Sequence, residues 1–161
     1  KNQEKNKIID WDSFFYPLDS ILEWNKIYGR KGFAQFQCVI PYENSKKALR
    51  EILEKIENSK IGSFLAVIKR FGEQKSKFSF PMKGYTLALD FPVNNKTLEL
   101  MNDLDKITIK YYGRLYLAKD SRMSKETLYK TDKRSESFQL FRKKQVSSNI
   151  FTSAQSKRLG L

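Results

Sequence analysis

A strand–helix–strand pattern that occurs twice constrains the fold of this 161-residue chain most strongly. In its first occurrence, residues 33–40 alternate between apolar and polar side chains, which predicts a strand. Residues 44–57 follow with an apolar stripe at helical spacing, and Asn44 is the predicted N-cap of this helix. An apolar run over residues 64–71 predicts the second strand.

The second occurrence repeats this succession. Alternation over residues 85–91 predicts the third strand, residues 95–110 form the second predicted helix with Asn95 as its N-cap, and residues 114–118 form the fourth strand. The order β-α-β-β-α-β is that of a ferredoxin-like α+β fold, an antiparallel sheet with both helices on one face. We therefore predict this fold class.

The C-terminal tail carries helical signals of its own. Ser124 is a predicted N-cap, with Met123 and Leu128 at the positions of a hydrophobic staple, and further helical segments are expected over residues 135–144 and 153–159. The polar residues 1–10 should be frayed, and residues 11–161 should form one domain, because domains commonly hold about 100–200 residues.

Composition excludes several kinds of chemistry. The chain has no histidine and one cysteine, Cys38, which rules out histidine-based catalysis and predicts neither a metal site nor an internal disulfide. The net charge of +13 attracts nucleic acid, anionic lipid or phosphorylated substrates, and its sign does not choose among them. No apolar run approaches the roughly 18 residues of a membrane span.

The segment Gly113–Arg122 is the first candidate for a ligand site. A short apolar strand runs into Lys119, Asp120, Ser121 and Arg122 with no turn residue between them. Two cations, a carboxylate and a hydroxyl at the end of one strand suit a ligand site. The alternative is a strand that leaves the core into a solvated loop, because charge clusters usually face water.

A second candidate is the sheet face opposite the helices. Glutamine suits a buried face only if its amide is hydrogen-bonded, since an unpaired polar group costs about 1–3 kcal/mol. The polar residues of this face therefore line either a cleft for a hydroxylated ligand or a surface exposed to solvent. Alternation places on it Gln35, Gln37, Lys69, Phe71, Thr86 and Ala88.

The order of elements is also that of the RRM RNA-binding fold. Lys31-Gly32-Phe33-Ala34 matches the first four positions of an RRM motif. Residues 35–38 lack the aromatic side chains on which bases would stack, and the match lies on the first strand, whereas the motif belongs on the third. A basic RRM-like RNA-binding module stays an alternative, and we expect no nucleic-acid partner.

Blocks of six to ten residues give the chain a more specific resemblance. They include Phe14–Asp19, Gly32–Pro41, Ser63–Gly72 and Gly113–Arg122. In this order the blocks resemble the C-terminal substrate-domain region of FAD-linked oxidases of the vanillyl-alcohol-oxidase class. Within that class they are most similar to the flavoprotein subunits of decaprenylphosphoryl-ribose 2-epimerases, which serve cell-envelope polysaccharide biosynthesis.

The resemblance implies an FAD-dependent oxidoreductase. Such enzymes transfer a hydride to flavin from a sugar hydroxyl, here C2 of a polyprenyl-phosphate pentose. FAD is bound mainly by an N-terminal domain that this chain lacks, so we expect a part of a longer protein that is inactive alone. A partner reductase, a cytoplasmic location and a peripheral contact with anionic inner membrane are also implied.

The resemblance assigns roles to individual residues. Lys119 matches the lysine beside the flavin and the reacting carbon, which makes it the catalytic candidate, and Tyr116 with Lys119 would contact FAD. Around the sugar and its lipid phosphate the resemblance places Gln37, Lys69 and Phe71, with Tyr16 lining the same cavity.

One pair of positions departs from the family. Mycobacterial members carry a cysteine where this chain has Ala88 and an asparagine where it has Thr86, so the pocket differs there. The alternative enzyme is a sugar-1,4-lactone oxidase of the same class. Those enzymes favour a histidine near the flavin, which this chain lacks.

Overall fold

The computed structural model describes residues 7–145 and 151–161, so residues 1–6 of the predicted frayed N-terminus lie outside the description. The predicted α+β fold is confirmed, because four strands form one antiparallel sheet in the ferredoxin-like order β2-β3-β1-β4. The strands are β1 (Phe33–Pro41), β2 (Ala66–Phe71), β3 (Gly84–Pro92) and β4 (Arg114–Leu115).

The helices follow the predicted order. Two short 3-10 helices span Trp24–Tyr28 and Leu117–Lys119. None of the helices described here is long and apolar enough to cross a membrane. The α-helices are α1 (Trp11–Phe15), α2 (Tyr42–Ser59), α3 (Asn95–Lys110), α4 (Lys125–Thr131), α5 (Arg134–Gln145) and α6 (Ala154–Leu159).

The core lies between the sheet and the two long helices. Because side chains alternate along a strand, every second residue of β1 and β3 points toward α2 and α3. These residues and the apolar stripes of the two helices are almost fully buried. The core includes Phe36, Cys38, Ile40, Ile52, Leu87, Leu89, Phe91, Leu100 and Leu104.

Two predicted helix caps are wrong by one to three residues, and one is confirmed. The helix α2 has its N-cap at Pro41, and the side-chain amide of Asn44 instead donates to the carbonyl of Tyr111 at 3.4 Å. For α3 the cap is Asn94, whose Oδ1 accepts the N–H of Thr97 at 2.9 Å. Ser124 caps α4 as predicted. The helix α2 begins directly after β1 without a side-chain cap, and for α3 two adjacent asparagines could serve as the cap.

The fourth strand is shorter than predicted. It ends at Leu115, and the N–H of Tyr116 makes a last bond to the carbonyl of Gln37 at 2.9 Å. The chain then turns, since the N–H of Lys119 bonds back to the carbonyl of Tyr116 at 3.1 Å. Lys119 therefore lies on a 3-10 helix beside the edge of β1 rather than at the end of a long strand.

Candidate functional site

The strand register places the predicted site residues of the sheet on one face. Directly opposite residues of antiparallel strands point to the same side, and Gln37 lies opposite Ala88, while Lys69 lies opposite Thr86. Gln35 lies opposite Asp90. Their neighbours along each strand face α2 and α3, so the predicted shared face, away from the helices, is confirmed.

This open face carries a hydrogen-bonded polar network. The side-chain amide of Gln37 donates to Oγ1 of Thr86 at 3.1 Å, and the amide of Gln35 donates to Oδ1 of Asp90 at 2.8 Å. The hydroxyl of Tyr28 donates to Oδ2 of Asp90 at 3.2 Å. The side-chain NH₂ group of each glutamine thus has a hydrogen-bond partner within the face, which reduces the cost of its partial burial.

Asp90 is a residue of this face that sequence reasoning did not single out. Its side chain is only 2% exposed, and no lysine or arginine pairs with it among residues 7–145 and 151–161. Burial raises the pKa of the Tyr28 phenol to about 12, and the charge of Asp90 and its hydrogen bond add to the rise. The signal available in the sequence was a carboxylate within an otherwise apolar strand, on the same face as Thr86 and Ala88.

Residues 78–81, here called the strap, cover one end of the open face. Phe80 is buried between two predicted site residues: its ring stacks on Tyr116 with centroids 4.4 Å apart and meets the ring of Phe71 edge-on at 6.0 Å. Phe80 was not predicted as a site residue. It joins Phe71 on β2 to Tyr116 beyond β4, the two edges of the sheet.

Two arginines hold the strap in place. Nη1 of Arg114 donates to the carbonyls of Ser79 and Phe80 at 2.8 and 3.0 Å, and Nη2 of Arg134 donates to the carbonyl of Ser79 at 2.6 Å. Asp132 pairs with both guanidinium groups, at 3.1 and 2.7 Å. A mainly apolar cleft of about 350 Å³ lies between the strap and the segment 114–118.

Two charged residues of the Lys-Asp-Ser-Arg cluster have structural ion-pair partners, and Lys119 has none within the described residues. Arg122 binds both carboxylate oxygens of Asp105, at 2.8 and 2.9 Å. Asp120 pairs with Arg158 at 2.8 Å and accepts the backbone N–H of Met123. Lys119 is exposed, and within the described residues it forms no ion pair. Within this cluster, Lys119 is therefore the residue that remains a candidate for binding a ligand.

The pKa values of Asp105 and Asp120 are shifted in opposite directions. Burial raises the pKa of Asp105, and the hydrogen bond and charge of Arg122 only partly oppose this. Burial also opposes the ionisation of Asp120, but the hydrogen bonds from Arg158 and the backbone N–H groups of Met123 and Arg122 outweigh it, so the pKa of Asp120 lies below its usual value.

A small polar cleft brings together four predicted residues from two distant segments. Gln35 and Gln37 of β1 line it together with Tyr116 and Lys119, where the edge of β1 is left open beyond the short β4. The rest of its lining is Phe36, Met101, Asp105, Leu115, Asp120 and Arg122. Its volume of about 10 Å³ is enough for one water molecule. The cleft is therefore one wall of a larger site rather than a complete sugar pocket.

The chain is similar in sequence to known proteins. No protein-family profile matches the chain. It is 35% identical over 158 residues, 98% of its length, to a decaprenylphosphoryl-beta-D-ribose oxidase of Mycolicibacterium smegmatis, strain ATCC 700084 / mc(2)155. The predicted resemblance to decaprenylphosphoryl-ribose oxidase is thereby confirmed. The match covers 34% of the oxidase, so the chain spans about a third of that relative's length.

A second relative is more distant. It is an uncharacterized protein in the mprA 5' region of Streptomyces coelicolor, 28% identical over 144 residues, which are 88% of this chain and 39% of that protein. The similarity to these two relatives extends across the sheet and its two long helices, because both alignments run across nearly all of the chain.

Two of the residues assigned by the resemblance to this oxidase lie away from the small polar cleft. Lys69 is exposed on β2, at the edge of the sheet opposite to β4 and the segment that carries Lys119. Tyr16 is the C-cap of α1, half-exposed, with its ring edge-on to Trp11 at 6.2 Å. The assignment of Tyr16 to the substrate cavity stays a prediction; the helix α1 that precedes it buries none of its own residues.

Proposed function

We propose that this chain is the substrate-binding part of an FAD-dependent oxidoreductase that oxidises a sugar hydroxyl, with C2 of a polyprenyl-phosphate pentose as its target. The observation that carries the proposal is the small polar cleft: Lys119, exposed and without an ion pair in the described residues, meets Gln35 and Gln37 there. A cation beside two amides suits a ligand rich in hydroxyl groups that gains negative charge during its reaction.

Different residues of the open face bind different parts of such a substrate. Gln35 and Gln37 hydrogen-bond hydroxyl groups of the sugar, and Thr86 and Ala88 between the two outer strands leave room for the ring. Lys69, exposed on the same face, pairs with the phosphate that links the sugar to its lipid. The sugar therefore lies across β1 and β3, with its reacting end toward Lys119.

FAD, when bound, supplies the hydride acceptor. The residues present fit one wall of its site, because Lys119 offers a cation that pairs with no carboxylate of residues 7–145 and 151–161, and Tyr116 offers a ring that Phe80 restrains. Lys119 would hold positive charge where negative charge develops, an electrostatic role. We propose that the protein's own N-terminal domain binds most of the cofactor, and that a partner reductase acts on the oxidised product.

A peripheral contact with anionic membrane is part of the proposal, since the substrate carries a lipid. The chain has a net charge of +13, which attracts anionic headgroups. The segment before β1 exposes large apolar side chains of the kind that enter a membrane interface. They are Trp11, Phe14, Phe15, Leu18, Ile21, Leu22 and Ile27.

The decisive experiment is rapid-mixing kinetics on the longer protein that carries this chain. Lys119→Ala should slow flavin reduction by decaprenylphosphoryl-ribose about 100-fold, a penalty of about 3 kcal/mol, with little change in substrate binding. The matched control is Lys96→Ala, which removes an exposed lysine from the helix side of the sheet. Near-normal reduction in the Lys119 variant would reject the proposed role of this lysine.

The structure disfavours the RNA-binding alternative. In an RRM, bases stack on aromatic residues of the sheet face, whereas the centre of this face carries Gln35, Gln37, Thr86 and the carboxylate of Asp90. A buried negative charge at that position repels phosphate. Absence of salt-dependent binding to single-stranded RNA is the expected result.

A further inference from the structure

Asp90 occupies an unusual position for a carboxylate. It is 2% exposed, lies on the open face opposite Gln35, and forms no ion pair with any lysine or arginine in the described part of the chain. Both of its side-chain oxygens accept hydrogen bonds, Oδ1 from Gln35 and Oδ2 from Tyr28. A carboxylate is costly to bury without a cation, so the hydrogen bonds from Gln35 and Tyr28 are needed to stabilise it.

The hydrogen bond between Gln35 and Asp90 has only one possible polarity. An ionised carboxylate accepts hydrogen bonds and cannot donate them, so Gln35 must present its NH₂ group to Oδ1 of Asp90. The amide is planar, and its carbonyl oxygen Oε1 then points away from Asp90. Within the described residues this oxygen accepts no hydrogen bond and is not a buried unsatisfied atom.

We propose that Asp90 is a positioning residue: it locks the amide of Gln35 so that Oε1 faces the small polar cleft as a hydrogen-bond acceptor. The cleft then selects a ligand that donates a hydroxyl at this point. This inference rests on the proposed function, in which the donor is a sugar hydroxyl other than the reacting one at C2.

Gln37 has a similar arrangement with a weaker constraint. Its side-chain NH₂ donates to Oγ1 of Thr86 at 3.1 Å, and its carbonyl oxygen Oε1 accepts no hydrogen bond within the described residues. A hydroxyl can donate or accept, so Thr86 permits either orientation of Gln37. The carboxylate makes Gln35 the glutamine with a fixed polarity, and Asp90 is the residue on which the selection depends.

The test uses the longer protein and three substrates: decaprenylphosphoryl-ribose and its 3-deoxy and 5-deoxy analogues. For the native protein, we expect kcat/KM to be about tenfold or more lower with one analogue than with the parent lipid. That analogue lacks the hydroxyl that would donate to Oε1 of Gln35, so this acceptor stays without a donor. Gln35→Met should abolish that discrimination. Asp90→Asn should reduce it and raise KM for the parent lipid while kcat stays within about twofold, since asparagine lets the amide turn either way.

Tyr28→Phe is the matched control, because it removes the other hydrogen bond to Asp90 and leaves the bond to Gln35 in place. It should keep the native discrimination between the analogues. Native discrimination in Asp90→Asn, or equal loss in Tyr28→Phe, would overturn the inference and leave Asp90 a purely structural residue.

A measurement that does not depend on catalysis separates this inference from the proposed function. In nitrogen-labelled protein, the side-chain NH₂ signals of Gln35 should shift and exchange faster with solvent in Asp90→Asn than in Tyr28→Phe. Unchanged Gln35 signals in Asp90→Asn overturn the inference whatever the enzyme does. Changed signals in a protein that does not oxidise the ribose lipid would support the amide lock and reject the proposed substrate.

Discussion

The ring of Phe80 stacks on the ring of Tyr116, with centroids 4.4 Å apart and planes 19° apart. The pair connects the strap to the chain just before Lys119, and Arg114 holds the strap through its backbone carbonyls. The position of Tyr116 therefore depends on a residue 36 positions earlier in the chain, and so does the shape of the sheet edge next to Lys119.

Phe80→Ala should lower the free energy of unfolding by about 3 kcal/mol, because a buried ring is lost from a packed cluster. Phe78→Ala is the control: its ring belongs to the same strap but stacks on Phe138 and is only half-buried. It should cost about 1 kcal/mol. Urea denaturation measures both, and equal losses would mean that Phe80 does not anchor the strap.

Arg122→Met should destabilise the protein by about 3 kcal/mol at neutral pH, since it leaves Asp105 buried without its cation. Burial already raises the pKa of Asp105 in the folded protein. A carboxyl whose folded pKa is above its unfolded value of about 3.9 gains stability as the pH falls toward that value. The loss of unfolding free energy in the variant should therefore become smaller between pH 7 and about pH 4, as measured by urea midpoints. A loss that stays constant over this range contradicts the prediction.

The stability loss caused by Arg158→Met should depend on pH in the opposite way. The pKa of Asp120 is lowered in the folded protein, so its contribution is present above the unfolded value of about 3.9 and is lost as the pH falls through the folded value. Because Arg158 is partly exposed, we expect a cost of about 1 kcal/mol at pH 6 that disappears only below about pH 4. Lys157→Met, on the exposed side of α6, should change stability little at either pH.

Ala88→Cys should create a reactive thiol on the open face. The native Cys38 is fully buried on the helix side, and burial raises the pKa of its thiol to about 12. Iodoacetamide should therefore leave the folded native chain unmodified and add one group to the variant, as read by intact-mass spectrometry. Denatured native chain, labelled once at Cys38, is the positive control, and labelling of Cys38 in the folded protein would contradict the assignment of the two faces.

The sequence by itself determined the order of the elements and the two faces of the sheet. Side chains alternate with a period of two in a strand, so Gln35 and Gln37 had to share a face once β1 was predicted, and the apolar residues between them had to face the helices. The resemblance likewise directed attention to Lys119 and Tyr116 before any contact was known.

Only the tertiary structure decided which charged residues are paired with one another. Arg122 is bound by Asp105, 17 residues away, and Asp120 by Arg158, 38 residues away, so the charge cluster could not be divided from local sequence. The burial of Asp90 is likewise set by strand pairing. Local patterns follow from backbone geometry and propensity, whereas the partner of a charged side chain depends on which distant segments the packed core brings together.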